Sequence, residues 1–113
     1  MARFKDLCLD ANDHQAQADW WCGLLGYRRR GEANRPREWP VPIEDPSGSG
    51  PLIWIVPVPE AKTVKNRMHL DIYGDTASIV ALGATLIRER GGDIEWDVLA
   101  DPEGNEFCVF AER

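Results

Sequence analysis

One order of residues occurs twice in this chain, and a chain that repeats itself at half its length has few folds open to it. In the first half, Asp6-Leu7-Cys8-Leu9-Asp10 is followed by a capped helical stretch and Leu25-Gly26-Tyr27. In the second, His69-Leu70-Asp71-Ile72-Tyr73 is followed by a shorter capped helical stretch and Leu82-Gly83-Ala84. Further along each half, Asp45-Pro46-Ser47-Gly48 and Asp101-Pro102-Glu103-Gly104 stand before a strand-like run. Each half therefore predicts a β-α-β-β-β unit. The expected fold class is α+β, with two βαβββ modules, about 1–59 and 60–113, in a single domain of 113 residues.

Within the modules the alternation sets the elements. Phe4 to Asp10 reads as a strand, and Asn12-Asp13 offers an N-cap. From His14 to Leu25, Ala16, Trp20, Trp21, Leu24 and Leu25 form one helical stripe, and Gly26 is the expected stop. Tyr27 to Arg30 starts a strand. Gly31 to Pro51 is rich in proline, glycine and charge and predicts loop, with short edge strands around Glu38 to Ile43. Leu52 to Val56 and Arg67 to Tyr73 read as strands. A short helix runs from Asp75 or Thr76 to Leu82. Thr85 to Arg88 is a strand, and Ile94 to Leu99 pairs with Glu106 to Phe110 as a hairpin around a Pro/Gly turn.

Period-two alternation places Leu7, Leu9, Ile53, Ile55, Leu70, Ile72, Phe107 and Val109 on faces that bury against helices. The opposite faces carry Asp6, Cys8, Trp54, Val56, His69, Asp71, Glu106, Cys108 and Phe110. Burying several carboxylates without partners costs several kcal/mol each, so these faces are expected to line a wet or ligand-filled cleft. His69 with Glu106 or Asp71 is the candidate acid–base group, because histidine ordinarily titrates nearest neutrality. Cys8 and Cys108 are expected to be small buried hydrophobes. Five tryptophans are a surplus for this length. Trp20 and Trp21 are expected in the core, and Trp54 and Trp39 are candidates to stack on a ligand.

Nineteen acidic residues against thirteen basic ones give a net charge of −6. That balance argues against nucleic acid and anionic membrane surfaces as partners. No apolar run approaches a bilayer span, and the first residues show no secretory h-region. Three cysteines without zinc spacing predict reduced thiols and a cytoplasmic location. No phosphate loop, Ser/His/Asp order or CxxC occurs.

Asp13 to Tyr27 resembles the first helix of the vicinal oxygen chelate superfamily, the glyoxalase, bleomycin-resistance and extradiol-dioxygenase group. Lys62 to Asp71 and Asp101 to Cys108 resemble a glyoxalase-like subfamily common in actinobacteria. The resemblance covers nearly the whole chain and is weakest between Gly31 and Gly50. It implies paired βαβββ modules forming a half-open barrel with outer helices, assembled as a homodimer. In metal-bearing members, four ligands come from the first and last strand of each module. The matching positions are Asp6, Val56 or a neighbour, His69, and Cys108, where a glutamate is usual. Valine cannot ligate, so no divalent metal is expected; a bound ion would be left with Asp6, His69 and Cys108. The expectation is a protein that binds a small organic molecule in a concave pocket lined by Asp6, Trp54, His69, Asp71, Glu106 and Cys108. The alternative is a glyoxalase-like isomerase, lyase or dioxygenase-type enzyme using His69 with Glu106, or that metal set.

Overall fold

A computed structural model describes residues 1–31 and 33–112. The chain divides into two compact units, Met1–Ala61 and Lys62–Arg113. The first runs β1 (Leu7–Ala11), α1 (His14–Leu25), β2 (Arg28–Arg29), β3 (Val41–Glu44) and β4 (Ile53–Pro57). The second runs β5 (Asp71–Tyr73), α2 (Thr76–Ala81), β6 (Thr85–Arg88), β7 (Asp97–Ala100) and β8 (Glu106–Phe110). The repeat is thus a repeat of topology. Each unit holds one four-stranded sheet, ordered β1-β4-β3-β2 or β5-β8-β7-β6. In each, the first strand pairs parallel with the last and the remaining pairs are antiparallel.

The repeated Asp-Pro-x-Gly motif is the turn that enters each unit's last strand. The Gly48 amide donates to the Asp45 carbonyl, and the Gly104 amide to the Asp101 carbonyl, both at 2.9 Å. Both glycines have positive φ, 77° and 92°. The Asp carboxylates brace the turns: Asp45 accepts from Ser47 N at 2.8 Å and Gly50 N at 2.9 Å, and Asp101 accepts from Glu103 N at 2.9 Å and Asn105 N at 3.0 Å. Aspartate before Pro-x-Gly is the side-chain chemistry such turns select.

Gly50 has a separate constraint. A Cβ there would lie 2.3 Å from the Tyr27 hydroxyl, which donates to the Pro51 carbonyl at 2.9 Å. Gly50→Ala is expected to lose about 1–3 kcal/mol of stability through overpacking. Adding Tyr27→Phe should restore part of it. Thermal melts of the single and double variants check this, and an unshifted Gly50→Ala melt refutes it.

α1 forms where expected. The Asp13 carboxylate accepts from Ala16 N at 3.1 Å, and Gly26 closes the helix at φ 70°. Its buried residues are Gln17, Ala18 and Trp21. The expected stripe is therefore rotated: Ala16 is exposed, and the longer Gln17 side chain is covered instead. Trp21 enters the core, and Trp20 meets it edge-on at 5.1 Å. Beneath α1, Ile43, Ile53 and Ile55 form the buried sheet face, with Leu7 and Leu9 half-buried at its edge. In the second unit the corresponding rows are Phe107 and Val109 with Leu99, and half-buried Ile72.

Several elements differ from the sequence reading. β1 begins at Leu7, leaving Phe4 exposed, and β7 begins at Asp97 rather than Ile94. β5 is confined to Asp71–Tyr73, so His69 precedes the strand and Met68 is 80% exposed. The segment before β5 is held to β8 largely by side chains. Lys62 Nζ donates to Glu106 Oε2 at 3.0 Å, and the Asn66 amide donates to Glu106 Oε1 at 2.9 Å. Side-chain anchors replace most of the ladder there. Cys8, expected to be buried, is exposed.

Candidate functional site

In the second unit, parallel pairing of β5 with β8 sets Asp71 opposite Cys108 and Tyr73 opposite Phe110. These side chains share the face opposite Phe107 and Val109, because alternate strand residues point oppositely. His69 stands two residues before Asp71, and its Nδ1 lies 3.2 Å from Asp71 Oδ1. His69, Asp71 and Cys108 offer ligand atoms that all lie within 4.8 Å of one another. Beyond them the face becomes aromatic. A cavity of about 450 Å³ is lined by Asp71, Ile72, Tyr73, Glu95, Phe110 and Ala111. Trp96 backs Phe110 at 5.5 Å.

The electrostatics separate the candidate residues. Burial, and then the neighbouring Asp71 carboxylate, push the Cys108 thiol above its ordinary value. It is a protonated thiol at neutral pH, not an activated nucleophile. Glu106 is held below the usual carboxylate range, first by the Asn66 amide and also by Lys62. Each of its oxygens accepts one of those groups, and the carboxylate that lies at 3.2 Å from His69 Nδ1 is that of Asp71. Glu106 tethers the segment that carries His69.

Asp6 and Trp54 lie in the first unit. Asp6 Oδ2 accepts from Lys5 Nζ at 2.6 Å and from Trp54 Nε1 at 3.0 Å. The lysine bond chiefly lowers its pKa. The Trp54 ring has two of the protein's own cations near it, Lys5 at 5.9 Å and Arg35 at 6.0 Å. Trp39 is half-exposed beneath Arg35.

The donor set does not match the oxygen- and nitrogen-rich site of metal-dependent vicinal oxygen chelate proteins. Val56 has no lone pair, Cys108 is a thiol where a carboxylate is usual, and Asp6 is engaged by Lys5 and Trp54. The group that converges among the described residues is His69, Asp71 and Cys108. Its mixed nitrogen, oxygen and sulfur donors would suit Zn²⁺ rather than an octahedral hard cation.

Sequence reasoning missed one strongly perturbed group. Asp97, on the buried row of β7, accepts from Arg90 Nη2 at 3.0 Å, the Arg90 amide at 2.6 Å and the Thr76 hydroxyl. These contacts, Arg90 first, hold its pKa down to about 2. The signal was available: Asp97 shares the parity of Leu99, and an acid on an inward row needs a cation.

Two sheets of this one topology, each with one helix between its first two strands in sequence, define the paired-βαβββ class. Solved structures agree. A glyoxalase/bleomycin resistance protein/dioxygenase family enzyme from Burkholderia phytofirmans PsJN matches at 18% identity and TM-score 0.68, covering 93% of this chain and 94% of that one. The fosfomycin resistance protein FosX from Listeria monocytogenes matches at 13% identity and TM-score 0.73, covering 100% and 93%. TioX from Micromonospora sp. ML1 matches at 14% identity and TM-score 0.60, covering 98% and 97%. A search of curated proteins returns no significant match. The model of the glyoxalase-like domain family spans residues 6–110, and the chain belongs to that family. Among the described residues, no helix is long and apolar enough to cross a membrane.

Proposed function

We propose that this protein binds a small organic molecule, neutral or cationic, on the open face of its second sheet and does so without a divalent metal. The observation that carries this reading is the cavity where Asp71 and Glu95 meet Tyr73 and Phe110. Carboxylates beside aromatic faces attract a cation or a polar group carried on an apolar body. Tyr73 is 64% exposed, which leaves a ring available for such a body. Solved structures of this fold include proteins named for resistance to fosfomycin and to bleomycin, which supports binding of small molecules as the role.

A thermal-shift screen with organic cations and neutral aromatics tests the proposal, since a ligand of the native state raises its melting temperature by mass action. A saturable shift is expected, unchanged by a chelator. Asp71→Asn and Tyr73→Ala should each weaken the ligand by about tenfold, equivalent to about 1.4 kcal/mol. A ligand that binds both variants as tightly as the parent, or no shift from any compound, rejects the site.

One observation favours an enzymatic reading: the 3.2 Å approach of Asp71 to His69 Nδ1. A carboxylate in that position orients an imidazole for proton transfer. Isomerase or lyase chemistry at this dyad requires turnover that His69→Gln abolishes while ligand affinity is kept.

A further inference from the structure

The first unit holds a different cavity, and its lining has the opposite charge. The segment between β2 and β3 passes beside the start of α1 and is tied to it. His14 Nε2 lies 2.7 Å from the Arg37 carbonyl oxygen, and Gln15 Nε2 donates to the same oxygen at 3.0 Å. The space between segment and helix amounts to about 740 Å³, within the range of small-molecule sites. Arg29, Arg30, Arg35 and Arg37 line it, against the carboxylates Asp13 and Asp19.

Those carboxylates are already used. Asp19 takes Arg29 at 2.9 Å, and Asp13 caps α1. Among the described residues, no carboxylate forms an ion pair with Arg30, Arg35 or Arg37. Three guanidinium groups on one cavity with no carboxylate ion pair among the described residues are unexpected in a chain of net charge −6. Like charges in one site repel, and an anion placed among them removes that cost.

Arg35 adds the second observation. Its guanidinium lies 5.4 Å from the Trp39 ring centroid and 6.0 Å from that of Trp54, and one terminal nitrogen donates to the Pro40 carbonyl at 3.0 Å. The group is held in place, yet its Nε is buried with no acceptor among the described residues. Such a donor is rare in native proteins and calls for a reason. A guanidinium takes a carboxylate or phosphate through its terminal nitrogens, and Arg35 lines the cavity. Trp39, half-exposed and lining the same cavity, offers a flat surface beside it.

We propose that this cavity is a second ligand site, which takes a small organic anion. The carboxylate or phosphate group is held by Arg35 with Arg30 and Arg37, and a planar body rests on Trp39. The site is independent of the one on the second sheet and selects the opposite charge.

Tryptophan fluorescence and calorimetry on the full chain, with benzoate, phenyl phosphate, inorganic phosphate and benzylamine as probes, test this. Benzoate or phenyl phosphate should bind saturably and weaken as salt rises. Benzylamine should not compete. Arg30→Ala and Arg37→Ala, both at exposed positions, should each weaken the anion by about tenfold, and Arg35→Gln by more. Asp71→Asn should leave anion binding unchanged, which separates this site from the first. No saturable binding of either organic anion overturns the proposal. So does affinity unaltered within about twofold in Arg37→Ala and Arg30→Ala, a result that remains readable if Arg35→Gln fails to fold. Inorganic phosphate binding as tightly as phenyl phosphate overturns the role of Trp39.

Discussion

Asp97→Ala is expected to destabilise the protein by about 2 kcal/mol, because it removes the buried partner of a half-buried ion pair together with its bonds to the Arg90 amide and the Thr76 hydroxyl. Asp97 is 4% exposed and joins the first residue of α2, the segment at Arg90 and the inner row of β7. Losing it leaves the Arg90 amide without its acceptor and the Arg90 guanidinium with only solvent and the Val109 carbonyl. The same contacts fix a pH dependence. The carboxyl titrates at about 2 in the fold against an ordinary 3.8. A depressed carboxyl pKa stabilises the fold above the ordinary value, and that stability drains away as pH falls from about 4 to 2. The difference corresponds to about 2 kcal/mol. Urea unfolding at pH 7 and across pH 2–5 reads both effects: the parent should lose stability through that window, and Asp97→Ala should be flatter there. A loss below about 1 kcal/mol at pH 7 would show that the pair is dispensable.

Phe107→Ala should cost about 3–5 kcal/mol. The ring is 1% exposed on β8, opposite Leu99, which is wholly buried. Its truncation leaves a cavity that a pleated sheet cannot collapse to fill. Because Glu106 and Cys108 flank it on the other face, the row that presents Asp71 and Cys108 loses its backing. Phe107→Leu keeps most of the volume and should cost under about 1.5 kcal/mol. Denaturant midpoints separate the two. Equal losses would mean that the strand is held by its ladder rather than by this side chain.

Much of this was legible in the amino-acid order. Asp13, Gly26, Gly48 and Gly104 mark element ends by side-chain and backbone preferences that act within a few residues, and each occurs where it was expected. Alternation in Leu52 to Val56 correctly sorted buried from open faces, since parity along a strand is fixed by covalent geometry; in Glu106 to Phe110 it placed Phe107 and Val109 inward, while Cys108 on the other face is buried as well. His69 and Asp71 belonged to one candidate site on the same ground. The alternation failed where pairing stopped short. His69 and Met68 read as strand, yet Lys62 and Asn66 spend their bonds on Glu106 and hold that stretch outside β5. Glu106, a candidate partner of His69 by spacing, bonds Lys62 and the Asn66 amide.

The repeat, the element order and the inward rows were determined by sequence, because each depends on residues close along the chain. Which carboxylate meets His69, what answers Asp97, and where Arg35 comes to rest were decided only by the tertiary structure. The long-range part of those outcomes is the meeting of Lys62 with Glu106 across 44 residues, of Thr76 with Asp97 across 21, and of Arg35 with the Trp54 ring. Partners so far apart are chosen by how sheets and loops pack, and no local preference encodes that choice.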